Sequence, residues 1–147
     1  VCWSSDVCSS DLLRYYVDVK GDAFATPLAM AQLGAALASL REEGVLIIGS
    51  GSWTHNLSKF RGQAEDAPEP DWVLRFADWT DAAVTQGRLD DLLAYRTLAP
   101  QAVENHPSEE HFLPLFVAMG AGGAGPGRRL HRSTTFGILH MDAYAFG

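Results

Sequence analysis

Apolar side chains recur at helical spacing in the stretch that follows Thr26. The repeated apolar positions between residues 27 and 43 are Met30, Leu33, Leu37 and Leu40, a spacing that places them on one face of a helix. Thr26 is a residue type favoured at the N-cap, and Pro27 is favoured at the first helical position. Because Gly44 is the residue type that most often ends a helix, the pattern predicts an amphipathic helix over residues 27–43.

A continuous apolar run, residues 45–48, comes directly after this helix. Uninterrupted apolar runs are typical of strands buried on both faces in a parallel or mixed sheet. A glycine-containing stretch, residues 49–52, follows the predicted strand. Helix, glycine, buried strand and glycine loop in this order are half of an α/β unit. We therefore predict the α/β class: a single domain with a central, mostly parallel or mixed sheet flanked by helices.

Three more helical stretches are predicted after residue 70. The first is expected to begin with Asp71 as its cap and to end at Gly87. A shorter helix is predicted over 88–95, followed by a connection over 99–107. The third would begin with Ser108 as its cap. Its apolar residues are Phe112, Leu115, Phe116 and Met119.

Loops and strands, rather than helices, are predicted near the two ends of the chain. Residues 120–129 are rich in glycine and are expected to form a flexible loop, whereas residues 133–146 alternate loosely and predict a strand. Residues 13–20 are rich in Tyr and Val and predict another strand. Residues 1–12, VCWSSDVCSSDL, contain an imperfect repeat but lack the apolar segment of a secretory signal. We expect this first segment to be non-native and to lie outside the fold.

Composition excludes several classes of protein. The chain has 147 residues, of which 47% are apolar and 20% charged, as in a one-domain globular protein. A net charge of −7 argues against nucleic-acid binding, which usually needs a basic patch, and no apolar run approaches the about 18 residues of a membrane span. Since Cys2 and Cys8 lie in the first dozen residues, the rest has no disulfide framework. We expect a cytoplasmic protein that handles a small molecule, with no nucleic-acid or membrane partner; its oligomeric state stays open.

Histidines carry the candidate chemistry, because histidine is the commonest metal ligand and the usual acid or base near neutral pH. His55 follows the predicted strand beside the glycines, where open α/β sheets bind ligands. The alternative is a loop histidine that caps backbone groups. His106 and His111 are five residues apart, a spacing that does not share a helical face. The two remaining histidines are His131 and His140.

His111 follows two acidic residues, Glu109 and Glu110. With Ser108 as the cap, His111 would lie near the start of a helix, whose positive end keeps an imidazole neutral, as a metal ligand must be. Pro114 would then fall inside the helix and remove a hydrogen bond. The helix therefore either begins nearer Glu110 or is kinked. The alternative for the two glutamates is a solvated pair that complements the helix dipole.

Three blocks of the sequence resemble a known enzyme family. The block at 49–57 reads GSGSWTHNL and resembles the S-G-x-x-x-H-N-L motif of the class III (LigB-type) extradiol ring-cleavage dioxygenases, in their DOPA-dioxygenase-like branch. The block at 106–115 reads HPSEEHFLPL and, with 119–121, resembles the H-P-x-x-E-H-F-L-P-L…G-A motif of that branch. The block at 141–147, MDAYAFG, resembles its C-terminus. The resemblance covers roughly residues 25–147.

The resemblance implies a metal-dependent dioxygenase that opens catechol-type aromatic rings next to the diol. His111 matches a metal ligand of the family. His55 matches its active-site histidine, as a metal ligand, an acid/base or both, and His106 matches a position beside the site. The implied metal is Fe(II), and Zn(II) is also associated with this branch. The implied partners are a small catecholic substrate and O2.

The resemblance also implies a longer enzyme, whose first half would carry two further metal-binding histidines. Residues 13–147 would then be the C-terminal part of the catalytic domain, and this fragment would be inactive alone. The alternative is a non-catalytic metal-binding or interaction protein on the same fold. Because His55 and His111 are both present, the enzyme is favoured. A third alternative, a metal-dependent hydrolase, lacks an obvious general-base carboxylate at a fixed spacing.

Overall fold

The computed structural model describes residues 25–147, so the expectations for residues 1–12 and 13–20 lie outside the described residues. The first helix, α1, covers Pro27–Leu37 and continues as a 3₁₀ helix over Ala38–Glu43. Together these two elements confirm the first predicted helix.

Both ends of this helical stretch follow the expected chemistry. The Oγ1 atom of Thr26 accepts a hydrogen bond of 3.2 Å from the N–H of Ala29, and Pro27 occupies the first helical turn. Gly44 ends the stretch with a left-handed φ of 80°, a conformation that glycine adopts without a steric penalty. The predicted cap, first residue and terminating glycine are therefore all confirmed.

Helical segments make up most of the remaining described chain before residue 122. They are a 3₁₀ turn at Leu57–Lys59, α2 at Asp71–Thr85, α3 at Leu89–Leu93, α4 at Tyr95–Leu98, α5 at Ala102–Asn105 and α6 at Pro114–Ala121. Asp71 is the first residue of α2 rather than its cap, which is Pro70. The predicted connection over 99–107 contains the short helix α5.

The third predicted helix begins later than a Ser108 cap would place it. Helix α6 starts at Pro114, where the missing N–H of proline costs no helical hydrogen bond. The residues before it form turns, in which the N–H groups of Phe112 and Leu113 both donate to the carbonyl of Glu109. His111 therefore lies ahead of the helix, and the expected conflict at Pro114 does not arise.

The apolar run 45–48 is not the buried strand that the sequence predicts. Leu46 and Ile48 are 80% and 74% exposed, and within residues 25–147 no strand pairs with this run. The described strands all follow residue 127 and pair with one another. A strand buried on both faces needs neighbours on either side, and the described chain does not supply them.

Four short strands lie near the C-terminus: β1 at Arg128–His131, β2 at Thr134–Thr135, β3 at Leu139–His140 and β4 at Ala143–Ala145. β1 pairs antiparallel with β4, and β2 pairs antiparallel with β3. The single strand predicted over 133–146 is interrupted because Phe136 and Gly137 both adopt positive φ. Helices and short strands in one domain confirm the α/β class, although the described strands form antiparallel pairs rather than a parallel sheet.

An aromatic core lies between α2 and α6. Phe112 is at its centre, with its ring centroid 4.7–5.8 Å from those of Trp53, Phe76, Tyr95, His106 and Phe116. On the other side of α6, α1 approaches so closely that a Cβ on Gly34 would collide with the carbonyl oxygen of Val117. A Cβ on Gly120 would likewise collide with the carbonyl of Ala31. Glycine thus allows the two helix backbones to touch.

Candidate metal and catalytic site

The stretch 49–52 lies directly on the turn that precedes α6. The N–H of Ser52 donates a hydrogen bond of 2.7 Å to the carbonyl of His111. A Cβ on Gly51 would collide with that same carbonyl, and one on Gly49 would collide with the carbonyl of Pro114. These backbone contacts place the loop 53–56 beside His111.

His55 and His111 are brought together by this arrangement. Their ring centroids are 3.7 Å apart, and the ring planes are inclined by 33°. The backbone N–H of His55 donates a hydrogen bond of 3.1 Å to the carbonyl of Asn105, at the end of α5. The Nε2 atom of His111 lies 3.8 Å from Oε1 of Glu110. The sequence named these two histidines, and the structure makes them neighbours.

The surroundings of His55 favour its neutral form. Burial lowers the pKa of His55, and repulsion from His111 lowers it further, whereas Glu110 acts in the opposite direction. The pKa of Glu110 is lowered in turn, chiefly by the hydroxyl of Ser108, which donates a hydrogen bond of 2.8 Å to it. A neutral imidazole keeps a free lone pair, which is what a metal ligand or a general base requires.

Aromatic packing holds the base of the loop. Trp53 is buried, stacks on Tyr144 with centroids 4.5 Å apart, and meets the edge of Phe112 at 5.8 Å. The hydroxyl of Tyr144 donates a hydrogen bond of 2.6 Å to Asp81 of α2. Trp53, two residues before His55, is therefore fixed between the C-terminal strands and the core.

His106 has a structural environment. It is fully buried, and its Nε2 lies 2.9 Å from the carbonyl oxygen of Trp53. Since a carbonyl only accepts, Nε2 carries the proton, and Nδ1 is left without a hydrogen-bond partner. Burial lowers the pKa of His106 to about 4, so the ring is neutral at pH 7. His106 thus holds the loop 53–56 through its hydrogen bond to the carbonyl of Trp53.

The two other histidines have separate partners. His131 is exposed, and its Nε2 lies 2.8 Å from the hydroxyl of Ser133. His140 is buried between two carboxylates, with Nδ1 3.1 Å from Asp142 and Nε2 2.9 Å from Glu69. Sequence reasoning did not single out this cluster. The available signal was the spacing of His140 and Asp142, which places both on one side of an extended segment.

The donor set at His55 and His111 fits a metal ion in part. Imidazole nitrogens suit both Fe(II) and Zn(II), and the two rings lie side by side with their centroids 3.7 Å apart. Over residues 25–147, no group of three or more His, Cys, Asp or Glu side chains is placed to hold a metal. The described residues therefore offer a pair of ligands rather than a complete coordination shell.

A family comparison decides the classification. Residues 21–146 match the family described as the catalytic LigB subunit of aromatic ring-opening dioxygenase. The chain belongs to the LigB family. Its LigB region includes the first two blocks that carry the resemblance and all but the last residue of the third, and both His55 and His111 lie inside it.

Individual relatives agree with the LigB assignment. The chain is 44% identical over 116 residues to the 4,5-DOPA dioxygenase extradiol of Beta vulgaris, and 39% identical over 121 residues to that of Portulaca grandiflora. Each match covers 78% of this chain and 42% of the relative. The chain thus spans less than half the length of these curated relatives.

A solved structure also resembles this LigB chain. A crystal structure of an uncharacterised protein from Escherichia coli K12 superposes with a TM-score of 0.73 at 28% identity. The match covers 83% of this chain and 51% of that one. Among residues 25–147, every helix is too short or too polar to cross a membrane.

Proposed function

We propose that this chain forms part of the active site of an extradiol dioxygenase that opens catechol-type aromatic rings with O2. The observation that carries the proposal is the 3.7 Å approach of the His55 and His111 rings. LigB membership supports the reaction class, and the names of the curated relatives support a catecholic substrate such as DOPA.

Within this proposal, His111 is a metal ligand and His55 is a metal ligand, an acid/base or both. When bound at the pair, Fe(II) supplies the one-electron chemistry that O2 needs, which Zn(II), having no redox chemistry, does not. The lowered pKa of His55 keeps its ring able to accept a proton from a substrate hydroxyl within hydrogen-bond reach. The protonated ring can then return that proton later in the cycle.

The remaining ligands are proposed to come from another part of a longer protein, with residues 13–147 as the C-terminal part of its catalytic domain. Catalytic sites of this kind usually take three protein ligands, whereas His55 and His111 provide two. We therefore expect no ring cleavage by the 147-residue chain alone. Formation of the ring-opened product by that chain with DOPA and Fe(II) would contradict the shared ligand set.

Metal binding by the chain tests the ligand assignment. Zn(II) is added while the imidazole ¹⁵N signals of all the histidines are followed by NMR. We expect the His55 and His111 signals to move together, and His111→Ala to abolish the response. His131→Ala is the matched control, because His131 is exposed and bonded to Ser133. A response that survives in His111→Ala but disappears in His131→Ala would overturn the assignment.

Turnover separates the roles of the two histidines in a longer protein that contains this chain. His111→Ala should lose bound iron, whereas His55→Ala should lower turnover more than iron content. Iron is measured by elemental analysis and turnover by the absorbance of the ring-opened product. Iron binding without any oxygen uptake would instead favour a metal-binding protein that is not an oxygenase.

A further inference from the structure

The hydroxyl of Thr54 joins the loop of His55 to the C-terminal strands. Thr54 is completely buried. Its Oγ1 donates a hydrogen bond of 2.9 Å to the carbonyl of Ile138 and accepts one of 2.8 Å from the backbone N–H of His140. One side chain thus satisfies two backbone groups of a segment more than 80 residues away in the sequence.

That distant segment is itself held by a charged cluster. The ring nitrogens of His140 face Asp142 at 3.1 Å and Glu69 at 2.9 Å. Both ring nitrogens are placed to donate to a carboxylate oxygen, an arrangement that favours the protonated form of the ring. The other oxygen of Glu69 accepts a hydrogen bond of 2.7 Å from Thr134 of β2, which pairs with His140 of β3. The backbone that Thr54 contacts is therefore tied to its surroundings by side chains and strand pairing.

We propose that Thr54 is a positioning residue that aligns His55 with His111 by fixing the loop to the His140–Asp142–Glu69 cluster. Thr54 immediately precedes His55, and the N–H of the peptide that joins the two residues is bonded to Asn105, so the backbone that leads into His55 is held. The consequence for metal binding rests on the proposed function, whereas the alignment itself does not.

The hydroxyl, rather than the volume of the side chain, performs this task. Valine has nearly the shape of threonine, but Thr54→Val would leave the carbonyl of Ile138 and the N–H of His140 buried without these partners. Unpaired buried groups are costly, so the two segments would shift until water or another group reached them. Serine retains the hydroxyl and can make the same two hydrogen bonds.

The experiment compares Thr54→Val with Thr54→Ser in the 147-residue chain. Thr80→Val is the matched control, because Thr80 is equally buried but donates only to carbonyls of its own helix. The first readout is the imidazole ¹⁵N spectrum without metal. We expect Thr54→Val to displace the His55 and His111 signals, and Thr54→Ser and Thr80→Val to leave them at their wild-type positions.

The second readout is the dissociation constant for Zn(II), measured by titration calorimetry. Residues that orient metal ligands usually change affinity about 10- to 100-fold, and we expect a loss of this size in Thr54→Val alone. A wild-type chain that binds no Zn(II) would contradict the proposed function but would leave the metal-free spectra as a test of alignment.

Two outcomes overturn the proposal. The first is a folded Thr54→Val chain with unchanged His55 and His111 signals. The second is Thr54→Ser behaving like Thr54→Val, which would assign the effect to packing of the methyl group. If Thr54→Val does not fold, His140→Gln is used, since it removes the charge that holds the same backbone. Unchanged His55 signals in that variant would also overturn the proposal.

Discussion

Two neighbouring stretches of the chain, 45–48 and 53–56, have opposite surroundings. The first is entirely apolar, yet its Leu46 is 80% exposed. The second contains polar side chains, yet Thr54 is 0% and Asn56 4% exposed. Hydrophobicity alone would have predicted that 45–48 is buried and that the polar side chains of 53–56 are exposed.

The difference shows that the hydrogen-bond and packing partners of a stretch, rather than its polarity, decide whether it is buried. The amide of Asn56 donates to the carbonyl of Glu104, and its oxygen accepts from the N–H of Ser58 at 3.1 Å. The side chains of Thr54 and Asn56 thus recover hydrogen bonds that they lose to water. In the apolar stretch, by contrast, the side chains of Val45, Leu46 and Ile48 remain exposed.

Removing the aromatic side chain beneath the loop should give the largest effect. Phe112→Ala should lower the free energy of unfolding by about 3–5 kcal/mol, the usual cost of deleting a buried aromatic ring. Ile48→Ala is the control, because Ile48 is 74% exposed. Urea denaturation followed by circular dichroism measures both. Equal losses in the two variants would contradict the contrast between the stretches.

Acid should weaken the buried loop through His106. The folded pKa of His106 is lowered to about 4 from about 6.5 in the unfolded chain, so the unfolded state binds more protons between these values. Stability should therefore fall as the pH drops from about 6.5 to about 4, by on the order of 3 kcal/mol. Urea midpoints at several pH values measure this slope. The slope should shrink in His106→Gln, and an unchanged slope would show that another group causes it.

His140 should act in the opposite direction. Burial alone would lower its pKa, but hydrogen bonds and charge from Asp142 and then Glu69 outweigh burial and raise it. Its contribution to stability is therefore complete below the unfolded pKa of about 6.5 and is lost as the pH rises through the folded value. In His140→Gln this loss on the alkaline side should disappear while the acid slope of His106 persists.

Charged substitutions in the exposed stretch should give the smallest effect. Leu46→Lys and Ile48→Lys should each change the free energy of unfolding by less than about 0.5 kcal/mol, as is usual for exposed positions. Thermal unfolding at low protein concentration measures this. A loss as large as that of Phe112→Ala would mean that the stretch is covered in solution.

Local signals predicted the ends of several elements well. Thr26, Pro27 and Gly44 act through their own backbone preferences, which do not depend on distant residues. Gly87 does the same after α2, where it has a φ of 67°. The prediction for the run 45–48 was wrong because an apolar run indicates only that a strand could be buried there. Whether neighbouring strands are present to pair with it depends on other parts of the chain. The Ser108 cap failed because Pro114 offered a better start for α6.

The candidate site was predictable to a similar degree. His55 and His111 were singled out through motif resemblance, but their 3.7 Å approach depends on the contact between 49–52 and the turn before α6. Sequence reasoning missed the roles of Thr54 and His140, because each depends on partners far along the chain. A buried histidine is recognisable only when Glu69 and Asp142 are known to flank it.

The backbone contact at Gly51 makes chain length as important as residue identity in this region. Only Ser52, Trp53 and Thr54 separate Gly51 from His55, and Gly51 and Ser52 both rest on the carbonyl of His111. A single inserted or deleted residue in this short span would carry one imidazole away from the other even if every side chain were kept. A substitution that keeps both the residue count and the hydrogen bonds, such as Thr54→Ser, leaves that spacing intact, so the number of residues constrains this region in addition to their identity.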